Sequence, residues 1–345
     1  MKRIICILGL LLVLASVAGA QTYSFEKEIA AYEYGGPMAA GPGGGIYYAT
    51  FVWGSATSSV YYIADPLTQN TTSTQILVTS TNTFDPAGRG YQGIAVNSTE
   101  TKVYVSGDKG GTLGGSVLQA VTKSGNTFTV DSGFAPTNLA SDRMASCALL
   151  SDSVLATTQF DVLQFYNAST GALSTSVSGG TIYQRDIAFN SSNNDIYVVH
   201  NGNSLSSSVS VWSGGSAASP GSYTFAKADL VADGGINTTY GSSIQGICYD
   251  AAHNRLLAAD RSVVGGPQTL RIFDLSGTGA SATATLAQTI DGTGSPAGLI
   301  QSCDDAVVSG SRIYIMDGMD DSIGGMKRIL VYVEGTGVHD WLFFE

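Results

Sequence analysis

The sequence predicts an all-β fold: a six-bladed β-propeller with four antiparallel strands per blade, the ring closed by the N-terminal strand. Three observations predict it. A hairpin recurs six times at a spacing of about 54 residues, further β-like runs follow each hairpin, and the composition suits many strands and turns, with 43 Gly and only 12% charged residues.

Three hairpins share a register. Gln92-Gly93-Ile94-Ala95-Val96 runs through a polar turn to Lys102-Val103-Tyr104-Val105. Arg185-Asp186-Ile187-Ala188-Phe189 leads in the same way to Asp195-Ile196-Tyr197-Val198, and Gln245-Gly246-Ile247-Cys248-Tyr249 to Arg255-Leu256-Leu257-Ala258. Two copies with different turns run from Arg143 to Ala156 and from Gln301 to Ile315, and a degenerate sixth runs from Gly35 through Gly41–Gly45 to Ala49. That glycine turn joins two strands and opens no helix, so it reads as a hairpin turn needing positive φ rather than a phosphate loop. Runs such as Ser116–Val121, Thr127–Val130 and Leu270–Asp274 are bounded by Gly, Asn, Ser and Asp and supply the outer strands. The last unit lacks a fourth strand, while Tyr23–Ile29 has no blade of its own; pairing the two closes the ring and removes exposed edges. The alternative is seven blades, with the Trp341–Phe344 tail as an extra edge strand. Tyrosines on the strands read as packing between blades.

At the N-terminus, Met1-Lys2-Arg3 precedes an apolar run from Ile4 to Val17 and then Ala18-Gly19-Ala20. This is the pattern of a secretory signal peptide, which predicts residues 1–20 as a signal and 21–345 as one propeller domain, secreted to the extracellular space or periplasm after cleavage near Ala20. Its short, basic form has a bacterial look. The apolar run is too short to span a bilayer, so membrane insertion is not expected. Cys6 lies within the segment removed, which argues against a lipid anchor. Removal of Lys2 and Arg3 leaves 14 basic against 27 acidic residues, a net charge of −13, and this disfavours nucleic acid as a partner. Cys147, Cys248 and Cys303 fall near apolar strands and read as free buried thiols.

The phrase Gly-Ile-Ala-Val, turn, Val-Tyr-Val, followed by a strand such as Leu270-Arg271-Ile272-Phe273-Asp274, resembles the blades of the NHL, YVTN and gluconolactonase-like propeller superfamilies over nearly the whole chain. The last of these implies a divalent metal at the channel mouth, held by a Glu before a Gly-Pro and by Asn and Asp in later blades. Here Gly35-Gly36-Pro37 has Gly where that Glu would stand, and Gln245 stands where an Asp is expected.

In a propeller the first strand of each blade lines the channel. Counting back eleven or twelve positions from each second strand gives a ring of Gly35, Gln92, Arg143, Arg185, Gln245 and Gln301, whose amides and guanidinium groups suit carboxylates or sugar hydroxyls. Second-strand exits give another ring, Thr50, Gly107, Thr158, His200, Asp260 and Asp317, with Arg261 beside Asp260. Asp and Asn at such exits commonly cap the following turn. His200, Asp260 and Asp317 nevertheless form a candidate acid/base or cation arc. Asp317, Asp320 and Asp321 make a fragmentary calcium motif; otherwise no cofactor is expected, and three His offer little material for a zinc site or a Ser-His-Asp triad. The function expected is a binding module holding a glycan, peptide or protein on the channel-mouth face. The alternative is a hydrolase or lyase acting on lactones or sugars there.

Overall fold

A computed structural model describes residues 22–50, 57–69, 75–84, 90–109, 115–139, 144–179, 184–200, 207–232, 244–261, 268–318 and 326–335. The expected signal segment, Arg143, Asp320, Asp321 and the Trp341–Phe344 tail lie outside the described residues.

The strands form six four-stranded antiparallel sheets, so the described residues make six blades rather than seven. Strand β1 (Tyr23–Ala30) comes first, and blade one then contains β2 (Gly35–Ala40), β3 (Ile46–Thr50), β4 (Thr57–Ile63) and β5 (Gln75–Thr83). Blade two contains β6 (Gly90–Val96), β7 (Lys102–Asp108), β8 (Ser116–Ser124) and β9 (Thr127–Val130). Blade three contains β10 (Met144–Ser151), β11 (Val154–Gln159), β12 (Val162–Asn167) and β13 (Leu173–Ser178). Blade four contains β14 (Gln184–Asn190), β15 (Asp195–His200), β16 (Ser208–Ser213) and β17 (Thr224–Ala232). Blade five contains β18 (Ile244–Asp250), β19 (Arg255–Asp260), β20 (Thr269–Ser276) and β21 (Thr283–Ile290). Blade six joins β22 (Cys303–Ser309), β23 (Arg312–Asp317) and β24 (Arg328–Glu334) to the N-terminal strand β1 (Tyr23–Ala30), in the order β22-β23-β24-β1. Tyr23 lies opposite Glu334 and Ala30 opposite Arg328, so the expected closure is present. The innermost strands contact one another in a closed cycle, β2 to β6, β10, β14, β18, β22 and back to β2.

There is one apolar core between each pair of adjacent blades, and the closed cycle gives six of them. This explains strands that are apolar at every position. On β3, Ile46 and Tyr48 pack toward blade six while Tyr47 and Ala49 pack toward blade two. On β23, Ile313 and Ile315 face blade five while Tyr314 and Met316 face blade one. Successive side chains point to opposite faces of a strand, and a sheet covered on both faces therefore needs no polar alternation. The strand tyrosines sit in these cores, with Tyr47 stacked on Tyr62 at 4.5 Å between ring centroids.

The recurrent Ile-Ala pair has a geometric cause. Five of the six innermost strands turn their larger residue back toward the preceding blade and their smaller one forward, β22 with Ala306 and Val307 being the reverse, so near the axis Ala39 meets Ile94, Ala148 meets Ile187 and Ala188 meets Ile247. A bulky residue on both sides would hold the strands apart where the blades converge. The glycine-rich turn is a hairpin as expected: Gly41 N–H donates to the Gly45 carbonyl at 2.8 Å, and Gly44 has φ 90°, in the region that favours glycine. Cys147, Cys248 and Cys303 are free, with Cys248 only half-buried.

Ile29 on β1 is fully buried between blades six and one. Ile29→Ala is expected to cost about 2–5 kcal/mol, read as a shift in the urea midpoint, because it opens a cavity at the seam that closes the ring.

Candidate functional site at the channel mouth

Every innermost strand carries a register irregularity at its entry: between Gly35 and Met38, Tyr91 and Gly93, Met144 and Cys147, Gln184 and Ile187, Ile244 and Gly246, and Cys303 and Asp305. A bulge leaves main-chain groups outside the ladder and re-aims the side chains beside it. At these bulges or directly after them stand Pro37, Gly93, Ser146, Asp186, Gly246 and Asp305, one from each blade. The residues before them are Gly36, Gln92, Ala145, Arg185, Gln245 and Asp304.

Asp186 and Asp305 take up the freed amides. Asp186 accepts from Ile187 N–H at 2.8 Å, from Ile247 N–H of blade five at 2.6 Å and from the Ser146 hydroxyl of blade three at 2.6 Å. Asp305 accepts from Ala306 N–H at 2.8 Å and from Met38 N–H of blade one at 2.7 Å. Gly246 makes room for this arrangement, since a Cβ there would lie 2.4 Å from Asp305 Oδ1.

These groups enclose a pocket of about 60 Å³ lined by Gly36, Pro37, Tyr91, Gln92, Arg185, Asp186, Gln245, Gly246, Asp304 and Asp305. At the rim an Arg185 Nη1–H donates to Gln245 Oε1. Arg261 Nη1 lies 3.2 Å from Asp304 Oδ1, and the Ser302 hydroxyl donates to Asp304 Oδ2 at 3.3 Å. Burial pushes the Asp186 carboxyl up to about 6 against the pull of its three donors. Burial likewise raises Asp304 to about 6, opposed by Arg261. Asp305 is raised well above the ordinary carboxylate range, by burial first and then by the charge of Asp186. Burial and a neighbouring like charge both favour the protonated form.

Of the residues singled out from sequence, Gln92, Arg185 and Gln245 line this pocket and Arg261 reaches it through Asp304. Gln301 does not. It precedes β22, its side chain donates to the Leu299 carbonyl at 3.0 Å, and Asp304 holds the place expected for it. In blade one Gly36 holds the place expected for Gly35, and in blade three Ala145 holds that expected for Arg143. The cause is turn length. Paired residues flanking the turn stand seven positions apart in Val96–Val103, Phe189–Ile196 and Tyr249–Leu256, but six in Ala40–Ile46 and Leu149–Leu155, and five in Val308–Ile313.

The second-strand exits point elsewhere. His200, Asp260 and Asp317 lie opposite Gln184, Ile244 and Cys303, and in blade three Gln159 holds the exit place expected for Thr158. Each of the three bonds to the third strand of its own blade. His200 Nε2 meets the Ser208 hydroxyl at 2.7 Å, Asp260 pairs with Arg271 at 2.9 Å, and Asp317 pairs with Arg328 at 2.8 Å while accepting the N–H groups of Gln301 and Ser302. Burial lowers the His200 pKa, favouring neutral imidazole. None of them lines the pocket, so the acid/base arc does not assemble. Among the described residues no group of three or more His, Cys, Asp or Glu is placed to hold a metal, and Asp317 already faces a guanidinium.

Asp186, Asp304 and Asp305 were missed by the sequence reading. The available signal was Asp186 at a place where two sister repeats, Gln92-Gly93-Ile94 and Gln245-Gly246-Ile247, carry glycine.

No protein-family model matches the chain, and no curated protein matches it. Among solved structures, one described as the crystal structure of a nidogen/laminin complex is similar at 15% identity and a TM-score of 0.46, covering 78% of this chain and 84% of that chain. The propeller is read from the six sheets themselves, and that complex lends this chain no partner.

A carboxyl whose pKa is higher folded than unfolded binds a proton in the folded state that the unfolded chain releases, so its stabilising effect is present at low pH and lost as pH rises. For Asp186 and Asp304 the window runs from the ordinary 3.8 to about 6. Stability is therefore expected to rise as pH falls from ~7 to ~5, and Asp186→Asn to flatten that rise, both followed by urea unfolding.

Proposed function

We propose that this chain is an exported binding protein whose channel-mouth pocket holds the polar end of a glycan, peptide or protein ligand. The observation that supports this most is the convergence of Gln92, Arg185, Gln245 and Asp304 from four blades around one pocket with the Asp186–Asp305 pair at its floor. Such a site is concave and holds convergent polar side chains on a rigid scaffold, where placed polar groups fix a ligand's orientation. Export rests on the Met1–Ala20 pattern. Among the described residues no helix is long and apolar enough to cross a membrane.

The charges of the mouth come close to cancelling. Arg261 faces Asp304, Arg185 adds a second cation, and burial disfavours the charged forms of Asp186 and Asp305. Hydroxyl and amide groups thus suit the pocket better than a net charge does. The enzyme alternative, a hydrolase or lyase on the same face, loses the His200, Asp260 and Asp317 set and would depend on the Asp186–Asp305 pair instead.

On glycan and peptide arrays the native protein should retain a ligand, and Gln92→Ala with Arg185→Ala should weaken it at least about tenfold, while Asp317→Asn leaves affinity unchanged. Blank arrays together with turnover of lactones that Asp186→Asn abolishes would replace binding with catalysis.

A further inference from the structure

The polar mouth opens onto a second cavity of different character. Pro37, Asp186 and Asp305 line both, and below them the bore widens to about 330 Å³. Past the carboxyls its wall is apolar: the ring Ala39, Ala95, Ala148, Ala188, Cys248 and Val307 comes first, then Ala40, Val96, Leu149, Phe189, Tyr249 and Val308. All six residues of the last ring are only partly buried, so apolar surface faces the bore from every blade. A volume near 300 Å³ is at the lower end of the range that holds small ligands.

These twelve residues also pack against the interblade cores, and nine of them still keep exposed surface. What the wall provides is a sleeve, coaxial with a collar of uncharged balance at the mouth. We propose that the ligand is an amphiphile: an uncharged hydroxyl- or amide-bearing head held by Gln92, Arg185, Gln245 and Asp304, with an unbranched alkyl tail running down the bore toward Val96, Leu149 and Phe189. This rests on the mouth being the binding site. The small residues of the first ring let the strands converge, and that convergence sets the width of the bore. A charged head fits less well, since Asp304 and Arg261 already answer each other.

The test is calorimetric titration of the full chain with n-alkyl β-glucosides from ethyl to decyl, each kept below its micelle concentration. Affinity should rise about fourfold per methylene until the tail fills the bore and then level off, with an increasingly negative heat-capacity change. Leu149→Trp and Val96→Trp, checked for native melting temperature, should bind ethyl glucoside as the native protein does but lose the chain-length dependence. Arg185→Ala should weaken every member of the series equally. If the native protein binds ethyl and decyl glucoside equally, the mouth stands as a binding site and the alkyl sleeve is refuted. If affinity grows with chain length but is untouched by both tryptophan variants, the tail lies elsewhere and the inference also fails. Absence of binding across the whole series would remove both the inference and the mouth as a site for uncharged heads.

Discussion

The structure turns on how main-chain amides near the axis find acceptors. Six innermost strands converge there, each enters through a bulge, and a bulge takes N–H groups out of the ladder. A buried amide without a partner costs about 1–3 kcal/mol, so several together would rival the ~5–15 kcal/mol stability of a typical domain. Asp186 and Asp305 answer four of them, at Met38, Ile187, Ile247 and Ala306, and each carboxylate reaches across to a neighbouring blade. The same atoms therefore join blades and furnish the floor of the mouth. Carboxyls placed for a structural reason in a desolvated ring acquire raised pKa values as a consequence of where they sit.

The outer parts of the wheel are organised differently. Around the periphery, charged groups act as local clamps: Arg328 joins Asp317 to Glu28 and the Ser295 hydroxyl, fixing the segment that leads from blade five to blade six. On the opposite face, His253 lies between Asp250 and Glu334, again linking those two blades. Such pairs hold strand ends and crossings in place, and they explain why the acidic residues at the second-strand exits are spent within their own blades. The pocket at the mouth is lined by residues of the first strands.

Much of the fold was legible in the sequence because its cause is local and periodic. Strands covered on both faces read as unbroken apolar runs, and the repeated Ile-Ala step records the large-to-small meeting of neighbouring blades. The unpaired segment Tyr23–Ile29 marked the closing strand for the same reason, being β-like with no hairpin of its own. The site was half legible. Gln92, Arg185 and Gln245 emerged where hairpin turns are equal in length, whereas in blades one, three and six a turn shorter by one or two residues displaced the count. Asp186 and Asp305 escaped because their role depends on amides of other blades, which no spacing within one repeat reveals. Asp317 looked like a ligand for the opposite reason: its partner Arg328 is close in space but eleven residues further along the chain.

The most direct measurement is amide hydrogen exchange at Met38 and Ile247 in the native protein and in Asp305→Ala and Asp186→Ala. If the carboxylates hold the ring, both amides exchange slowly in the native protein, Met38 loses protection only when Asp305 is removed, and Ile247 only when Asp186 is removed. Fast exchange of both amides in the native protein, or protection indifferent to either substitution, would contradict the account.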